Sequence, residues 1–506
     1  MDDPGIRSAS MARTFAVRGI VEGFYGAPWT HAERLDAISF LAPRGLNAYA
    51  YAPKDDAKHR AAWRVPYDAD ERARFRELAA HADANGARFG FAISPGLDID
   101  YESDADRAAV LAKLEPLLDA GVPWFLLLLD DIPMQPGLAP RQAALATWLL
   151  GRLRESRADA GLTLCPTEYV GTRPSPYLGE LGTRLPDDVD VMWTGPTVCS
   201  PTLRADDARG WTEALRGQRT VVWDNTPVND ATMVNELHLG PYLGRDPALA
   251  DLVGGVLCNP MTQPRASLVQ LATAMDFLRD PDAYDAPKSW AAAWADVGGD
   301  HAEPLAVLAR ACADGPLIEP GRLELAQMVD RLSAALPGPE WVDAATALAA
   351  ELRAARALPQ TLGADPELAP WAVAAGAHAN AGLAALRLIQ QATPLAGAGG
   401  AGVIPPEPEA AMHHAFALTY TWLGARADEH VVYGPRFAVY SAVVQLPDGV
   451  GPALDVGASL REDANVIDRL CRLALEYYEG WVRNPHLHRE PVAPPLPFHD
   501  RRLGDS

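Results

Sequence analysis

The sequence predicts an α/β fold, a (β/α)8 barrel followed by an all-α helical bundle, from three observations. Eight short β-branched or aromatic runs begin near residues 17, 46, 87, 122, 162, 189, 219 and 252, at spacings of 29, 41, 35, 40, 27, 30 and 33 residues. Each spacing is the length of a strand plus a crossover helix. The segments between them, such as DERARFRELAAHADANG and DADRAAVLAKLEPLLDAG, space apolar residues three and four apart, as amphipathic helices do. Beyond residue 287 strand texture nearly vanishes and long Ala/Leu-rich stretches take over. Eight strand-then-helix units in about 250 residues is the arithmetic of a TIM barrel rather than of an open doubly wound sheet.

In such a barrel the site is assembled where the strands end, so each strand is read for its terminal polar residues. The first (VRGIVEGFY) ends in Glu22, Gly23, Phe24, Tyr25 and Gly26, and the second (LNAYAYAP) runs into Lys54, Asp55 and Asp56. The third is ARFGFAISPG; the fourth (VPWFLLLLDDIP) ends in Asp130 and Asp131, and the fifth (LTLCPTEYVG) in Glu168 and Tyr169. The sixth (VDVMWTGP) ends in Trp193, Thr194 and Gly195, the seventh (RTVVWDNTPVND) in Trp223, Asp224 and Asn225 with Asp230 following, and the eighth (LVGGVLCNP) in Asn259. RASLVQLATAMDFLRDP is the last barrel helix, and DPDAYDAPK marks a break through its prolines and lost period. Helical stretches follow at 302–314, 320–336, 339–357, 366–393, 408–427 and 463–482, with a Gly-rich link at 397–409. The expected organisation is a disordered extension at 1–15, a catalytic barrel at 16–284, a helical bundle at 288–484 and a Pro-rich tail at 485–506.

Composition narrows the function classes. Across 506 residues, 44 Lys and Arg against 66 Asp and Glu leave a net charge of −22, which repels nucleic acid and anionic membranes. The opening MDDPGIRSASMARTFAVRG has no apolar core of signal-peptide length, and Met11 offers a second start. The longest apolar run, PWFLLLL at 123–129, is too short to span a bilayer. Five cysteines are odd in number and never closely spaced, which fits a reducing cytoplasm better than a disulfide framework or a CxxC metal site.

The paired Asp130 and Asp131 are the sharpest chemical signal. Two carboxylates directly after four leucines are costly to leave ionised, and like charges this close tend to separate into one acid and one base. An isolated Asp-Asp is more often a helix cap or half of an ion pair; its place at a strand end among other polar rim residues favours the acid–base reading. A metal held by Asp130, Asp131 and His59 is disfavoured because no HxH, HxxE or HExxH spacing occurs there. Tyr25, Tyr169, Trp193 and Trp223 beside Lys54, Asn225, Asp230 and Asn259 have the composition of a sugar site, aromatic platforms for C–H faces and hydrogen bonders for hydroxyls. Lys58, His59 and Arg60 read as a solvated charged turn or an internal ion-pair network.

The segments VEGFYGAPW, YAPKDDAKHRAAW, LLLLDDI, CPTEY, WTGP, VVWDNTPVND and CNP, in that order, resemble the catalytic domain of the O-GlcNAcase family over about residues 17 to 282. These are retaining β-N-acetylglucosaminidases of glycoside hydrolase family 84. The resemblance implies removal of β-linked N-acetylglucosamine from a glycoconjugate by substrate-assisted catalysis, with no cofactor, no metal and no enzymic nucleophile. Residue by residue, Asp130 resembles the carboxylate that holds the 2-acetamido N–H and Asp131 the general acid. Tyr169, Trp223 and Asn225 would shape the acetamido pocket, while the carbonyl of Gly23 with Lys54, Asp230 and Asn259 would grip ring hydroxyls. Ala27 stands where a basic residue is common, and Pro227 interrupts the strand-seven loop; both bear on specificity beyond the sugar. The helical domain would pack on the barrel, form a homodimer or line an aglycone groove, and no accessory domain is expected before the barrel. Two other functions remain open, a sugar-binding protein without turnover and a metal-dependent hydrolase using the same carboxylates.

Overall fold

A computed structural model describes residues 13–317, 324–336, 338, 340–393, 395–396, 403–404, 408–435, 437–445, 452–460 and 465–483. The expected tail at 485–506 and most of the expected extension lie outside these residues. The last residues of that extension belong instead to the barrel: Phe15 is fully buried and its N–H bonds the Leu278 carbonyl at 3.0 Å.

The eight strands are β1 Val17–Glu22, β2 Ala48–Tyr51, β3 Arg88–Ile93, β4 Trp124–Leu128, β5 Gly161–Cys165, β6 Asp190–Trp193, β7 Thr220–Asp224 and β8 Gly255–Cys258. Each pairs in parallel with the next, and β8 returns to β1, closing the barrel. Both faces of every strand are covered, so the strands read as near-continuous apolar runs, and alternation decides which side chain goes where. Val21, Ala50, Leu126, Leu128, Met192, Val221 and Leu257 cluster in the interior. Ile20, Tyr49, Phe125, Leu127, Val191 and Val222 belong to the larger core shared with the helices. The interior is filled tightly: a Cβ on Gly90 would lie 2.4 Å from the Trp124 ring.

The surrounding helices are α1 His31–Leu41, α2 Ala69–Ala84, α3 Asp104–Asp119, α4 Leu138–Ser156, α5 Pro176–Arg184, α6 Ala205–Ala214 and α7 Pro264–Arg279. Local sequence sets their starts. Thr30 with Glu33 and Asp68 with Glu71 form capping boxes, and Ser103 and Ser175 cap α3 and α5. The seventh unit departs from the expected pattern, because no α-helix joins β7 to β8. Residues 225–254 carry Pro227, Pro241, Pro247, Gly240 and Gly244, which cannot sustain a helix, and form two 3-10 turns within a long loop.

Beyond the barrel come α8 Ala286–Gly298, α9 Ala302–Ala311, α10 Glu324–Ala335, α11 Trp341–Arg356, α12 Leu358–Leu362, α13 Ala369–Ala392, α14 Pro408–Arg426 and α15 Val466–Arg483. The sequence expectation lacks α8 and α12. It takes Pro287 as a break, whereas the fold uses it in the first turn of α8, where a missing N–H costs nothing. The domain is also not helical throughout. Leu395–Ala396 (β9) pairs with Val403–Ile404 (β10), and Phe437–Gln445 (β11) with Pro452–Leu460 (β12), both antiparallel. FAVYSAVVQ is rich in β-branched and aromatic residues, which favour a strand. The apolar α13 is long enough to cross a membrane, but it is mostly buried as the core helix against α11, α14 and α15.

The two halves share a core. Leu237, Leu239, Met261, Ala266 and Val269 of the barrel side cluster with the helical domain. The Trp290 indole N–H bonds the Leu239 carbonyl at 2.7 Å, and that of Trp371 bonds the Asn235 carbonyl at 2.9 Å. The helical domain thereby braces the loop between β7 and β8.

Candidate functional site

The alternation that fills the barrel also selects which rim residues face its mouth. Val21 points inward, so Gly23 does; Leu128 leads to Asp130, and Val221 to Trp223 and Asn225. Glu22 and Asp224 point the other way and serve the frame. The buried Glu22 carboxylate takes Arg34 at 2.7 and 2.8 Å, the Tyr49 hydroxyl at 2.7 Å and the Trp29 N–H at 3.1 Å. Asp224 takes Arg245 at 2.6 and 2.8 Å and the Tyr242 hydroxyl at 2.7 Å.

Ten of the eleven residues singled out from sequence line one cavity of about 300 Å³ at this mouth: Gly23, Tyr25, Lys54, Asp130, Asp131, Tyr169, Trp223, Asn225, Asp230 and Asn259. Trp193 is the exception. It faces the helix layer, fully buried, with its ring 5.9 Å from that of Trp211 and its N–H on the Gly171 carbonyl at 2.8 Å. The residue that β6 contributes to the cavity is Thr194, one position on. Period-two alternation from the inward Met192 carries that signal. Val198, Cys199, Val228 and Met233, on the loops after β6 and β7, also line the cavity without having been singled out. Loop residues have no period to betray which way they point.

The two aspartates sit in different surroundings. Lys54 forms a buried ion pair with Asp130 Oδ2 and stands 5.5 Å from the Trp223 ring centroid. Asp130 is 6% exposed, and its other oxygen, Oδ1, is buried with no partner. A buried carboxylate oxygen left without a donor is costly, so this atom is an acceptor held ready for an N–H brought by a ligand. Asp131 has a positive φ of 53°, a sparsely populated conformation for a non-glycine residue. Its Oδ2 accepts from the Tyr25 hydroxyl at 2.7 Å and its Oδ1 from the Tyr169 hydroxyl at 2.9 Å. Burial, then the neighbouring Asp131 carboxylate, push both phenols well above the ordinary tyrosine range, so they stay protonated and donating. The Lys54 cation means that the paired aspartates do not face each other as two bare charges.

The opposite wall is a hydrogen-bonded chain. The Asn225 Oδ1 accepts from the Trp223 indole and from Asn259 Nδ2, both at 2.9 Å, while its Nδ2 donates to the Val198 carbonyl at 2.8 Å. Asn259 Oδ1 accepts from the Gly23 N–H at 3.1 Å. Glycine is required at 23, because a Cβ there would lie 2.2 Å from Trp223 Cζ2. Asp230, on the long β7–β8 loop, accepts the Tyr25 N–H at 2.8 Å, and burial raises its pKa above the usual carboxylate value.

The charged turn after β2 is an internal network. Lys58 pairs with Glu71 at 2.6 Å, and Arg60 reaches the Asp131 carbonyl at 3.4 Å. His59 is fully buried; burial first, then Lys54, lower its pKa to about 3, which keeps it neutral. Among the described residues no three His, Cys, Asp or Glu side chains are placed to hold a metal ion. The cavity therefore offers an apolar platform, a free acceptor for an amide, a second carboxylate fixed by two phenols, and several hydroxyl partners.

Residues 18–310 match a family model described as beta-N-acetylglucosaminidase, which takes in nearly all of the barrel with α8 and most of α9. Protein O-GlcNAcase of Rattus norvegicus is 34% identical over 284 residues, covering 53% of this chain and 30% of that protein. Protein O-GlcNAcase of Mus musculus is 34% identical over 283 residues, with the same shares. The match thus spans less than a third of the length of these curated relatives. Among solved structures, a variant of the Thermobaculum terrenum O-GlcNAc hydrolase is 28% identical with a TM-score of 0.76, covering 94% of this chain and 98% of that one. With the family match extending over more than half of its residues, the chain belongs to the β-N-acetylglucosaminidase family that contains the O-GlcNAcases.

Proposed function

We propose that this chain is a retaining exo-β-N-acetylglucosaminidase that releases terminal β-linked N-acetylglucosamine through an oxazoline formed by the substrate itself. The observation that carries the reading is the unpartnered, buried Oδ1 of Asp130, an acceptor at the base of a cavity of sugar size. In this reading the acetamido N–H donates to Asp130, which turns the acetyl oxygen toward the anomeric carbon. That oxygen attacks, the glycosidic bond breaks, and Asp131 protonates the departing oxygen. Water then adds to the anomeric carbon, Asp131 recovers the proton, and the ring opens to a product of retained configuration. Such substrate assistance is a known exception to the two-carboxylate scheme of glycosidases. Lys54 balances the charge of Asp130, and Trp223 with Tyr169 encloses the acetyl group. The relatives' names favour a sugar carried on protein as the substrate.

Hydrolysis of an aryl β-N-acetylglucosaminide in the presence of a chelator tests this directly. Turnover that the chelator leaves intact is expected. Turnover lost with the chelator would favour the metal-dependent reading, and binding without turnover the lectin-like one. Successive fluorination of the acetyl methyl should lower the rate progressively, since it withdraws electrons from the attacking oxygen; a flat series with a trapped glycosyl-enzyme would overturn substrate assistance.

A further inference from the structure

The loop between β7 and β8 doubles back on itself. Its outgoing limb gives Val228, Asp230 and Met233 to the cavity. Its returning limb lies against the helical domain: the Asn235 carbonyl accepts from the Val431 N–H at 2.8 Å, and the Leu239 N–H donates to the Cys312 carbonyl at 3.1 Å. On that limb Glu236 and His238 are 3 and 5% exposed, and Glu236 Oε2 stands 3.3 Å from His238 Nε2. Neither residue lines the cavity. Glu236 Oε1 is buried with no partner among the described residues. A buried carboxylate–imidazole pair with an oxygen left over is a poor source of stability, because desolvation offsets most of the attraction. What the pair supplies is direction.

We propose that His238 is a positioning residue for hydrolysis, on the reading of the site given above: through the Pro227 carbonyl it fixes the wall that carries Val228 and Asp230. His238 Nδ1 stands 2.9 Å from that carbonyl oxygen. The carbonyl can only accept, so Nδ1 carries the hydrogen and Nε2 is left to Glu236, which sets the orientation of the ring. Pro227 has no N–H, so this carbonyl is the one polar group by which residue 227 can be held. The ring has little room to turn: Gly315 abuts it, a Cβ there lying 3.1 Å from His238 Cδ2, and the His238 N–H is tied to Met261 Sδ at 3.2 Å. The returning limb also holds Asn229, whose Nδ2 donates to the Glu236 carbonyl at 2.9 Å. Val228 is thereby anchored on both sides, and Asp230 follows directly. Without the Pro227 bond the outgoing limb pivots at Asn229, and small displacements of a binding group are costly to a reaction.

Two replacements of similar shape separate position from stability. Asn sets its amide nitrogen where Nδ1 stands, and Gln where Nε2 stands. His238→Asn therefore keeps the donor to Pro227 and leaves Glu236 bare, while His238→Gln does the reverse. With the full chain hydrolysing an aryl β-N-acetylglucosaminide well below its melting temperature, His238→Gln should raise KM roughly 3–10-fold, the worth of one hydrogen bond, with kcat changed less than about twofold. His238→Asn should melt lower than the parent and keep its KM. Added to Asp230→Asn, His238→Gln should raise KM little further, because the group it positions is already gone. An unchanged KM in His238→Gln overturns the proposal, as does an equal rise in both single variants or full additivity with Asp230→Asn. A parent that hydrolyses nothing overturns the reading of the site and the proposal with it, an outcome distinct from a parent that turns over and a His238→Gln variant that matches it.

Discussion

At the scale of single residues, adjacent aspartates acquire different duties from what surrounds them. Asp131 is fixed by two phenols, and in the proposed mechanism it gives and recovers the proton. Asp131→Asn should therefore slow substrates with poor leaving groups by about 10²–10⁴-fold and activated aryl glycosides far less, because a good leaving group needs little protonation. A plot of rate against leaving-group pKa reads this, and equal losses throughout would remove Asp131 from that role. Asp130→Asn should lose at least about 10²-fold even on activated substrates, since in the proposed mechanism its free oxygen orients the acetamide before the bond breaks. Asp230 yields a prediction with a sign. Burial raises its pKa above the unfolded value, so its contribution to stability is fully present at low pH, where it is neutral in both states, and is lost as pH rises through the folded pKa. Asp230→Asn should then melt higher than the parent at pH 8, with the difference vanishing toward pH 3. The same variant should raise KM, because in the proposed reading Asp230 accepts from substrate hydroxyls.

At the scale of elements, the strand ends and the loops that follow do different work. Strand ends set direction through alternation, which is why Gly23 and Trp223, on strands that both flank β8, meet at the barrel mouth. Gly23→Ala drives a methyl into the indole, and a destabilisation of about 1–3 kcal/mol with severe loss of turnover is expected. Chemical denaturation and kinetics on the same preparation would separate the two effects. The β7–β8 loop has no helix to hold it, yet it supplies Asp230 and Met233 to the cavity. Its support comes from elsewhere: Arg245 spends its donors on Asp224 and on the carbonyls of Ser200, Pro201 and Leu243, tying the loops after β6 and β7 together.

At the scale of the whole molecule, barrel and helical domain are one structural unit as far as the site is concerned. Trp371 of α13 is 4% exposed and bonds the Asn235 carbonyl on the β7–β8 loop. Trp371→Ala should destabilise the chain by about 3–5 kcal/mol and also raise KM, although the residue touches no substrate. A variant with lowered melting temperature and unchanged KM would show that the helical domain leaves the site alone.

Eight strands, their order and the pairing of Asp130 with Asp131 were legible in the linear sequence because they rest on local properties: apolar runs of strand length, crossover-length spacing, and turn chemistry at each end. The ordered motifs from VEGFYG to CNP carried the other cavity residues singled out from sequence, but not Thr194 or the loop residues Val198, Cys199, Val228 and Met233. Three things were not legible. Alternation puts Trp193 and Thr194 on opposite faces, but only the closed barrel shows that Met192 points inward, so that Trp193 packs on Trp211 and Thr194 faces the mouth. The pairing of β11 with β12 was not legible, because the strand texture of FAVYSAVVQ stands alone in a domain otherwise rich in Ala and Leu and its partner strand has no comparable signal. The free oxygen of Asp130 and the tyrosine clamp on Asp131 depend on residues more than thirty positions apart meeting at one point. The sequence by itself determined the eight barrel strands and the residue types at their ends, since period and propensity act over a few positions. Which of those residues face one another, and which oxygen is left without a partner, was decided only by the tertiary structure, because burial and hydrogen-bond satisfaction are set by groups that the chain brings together from far apart.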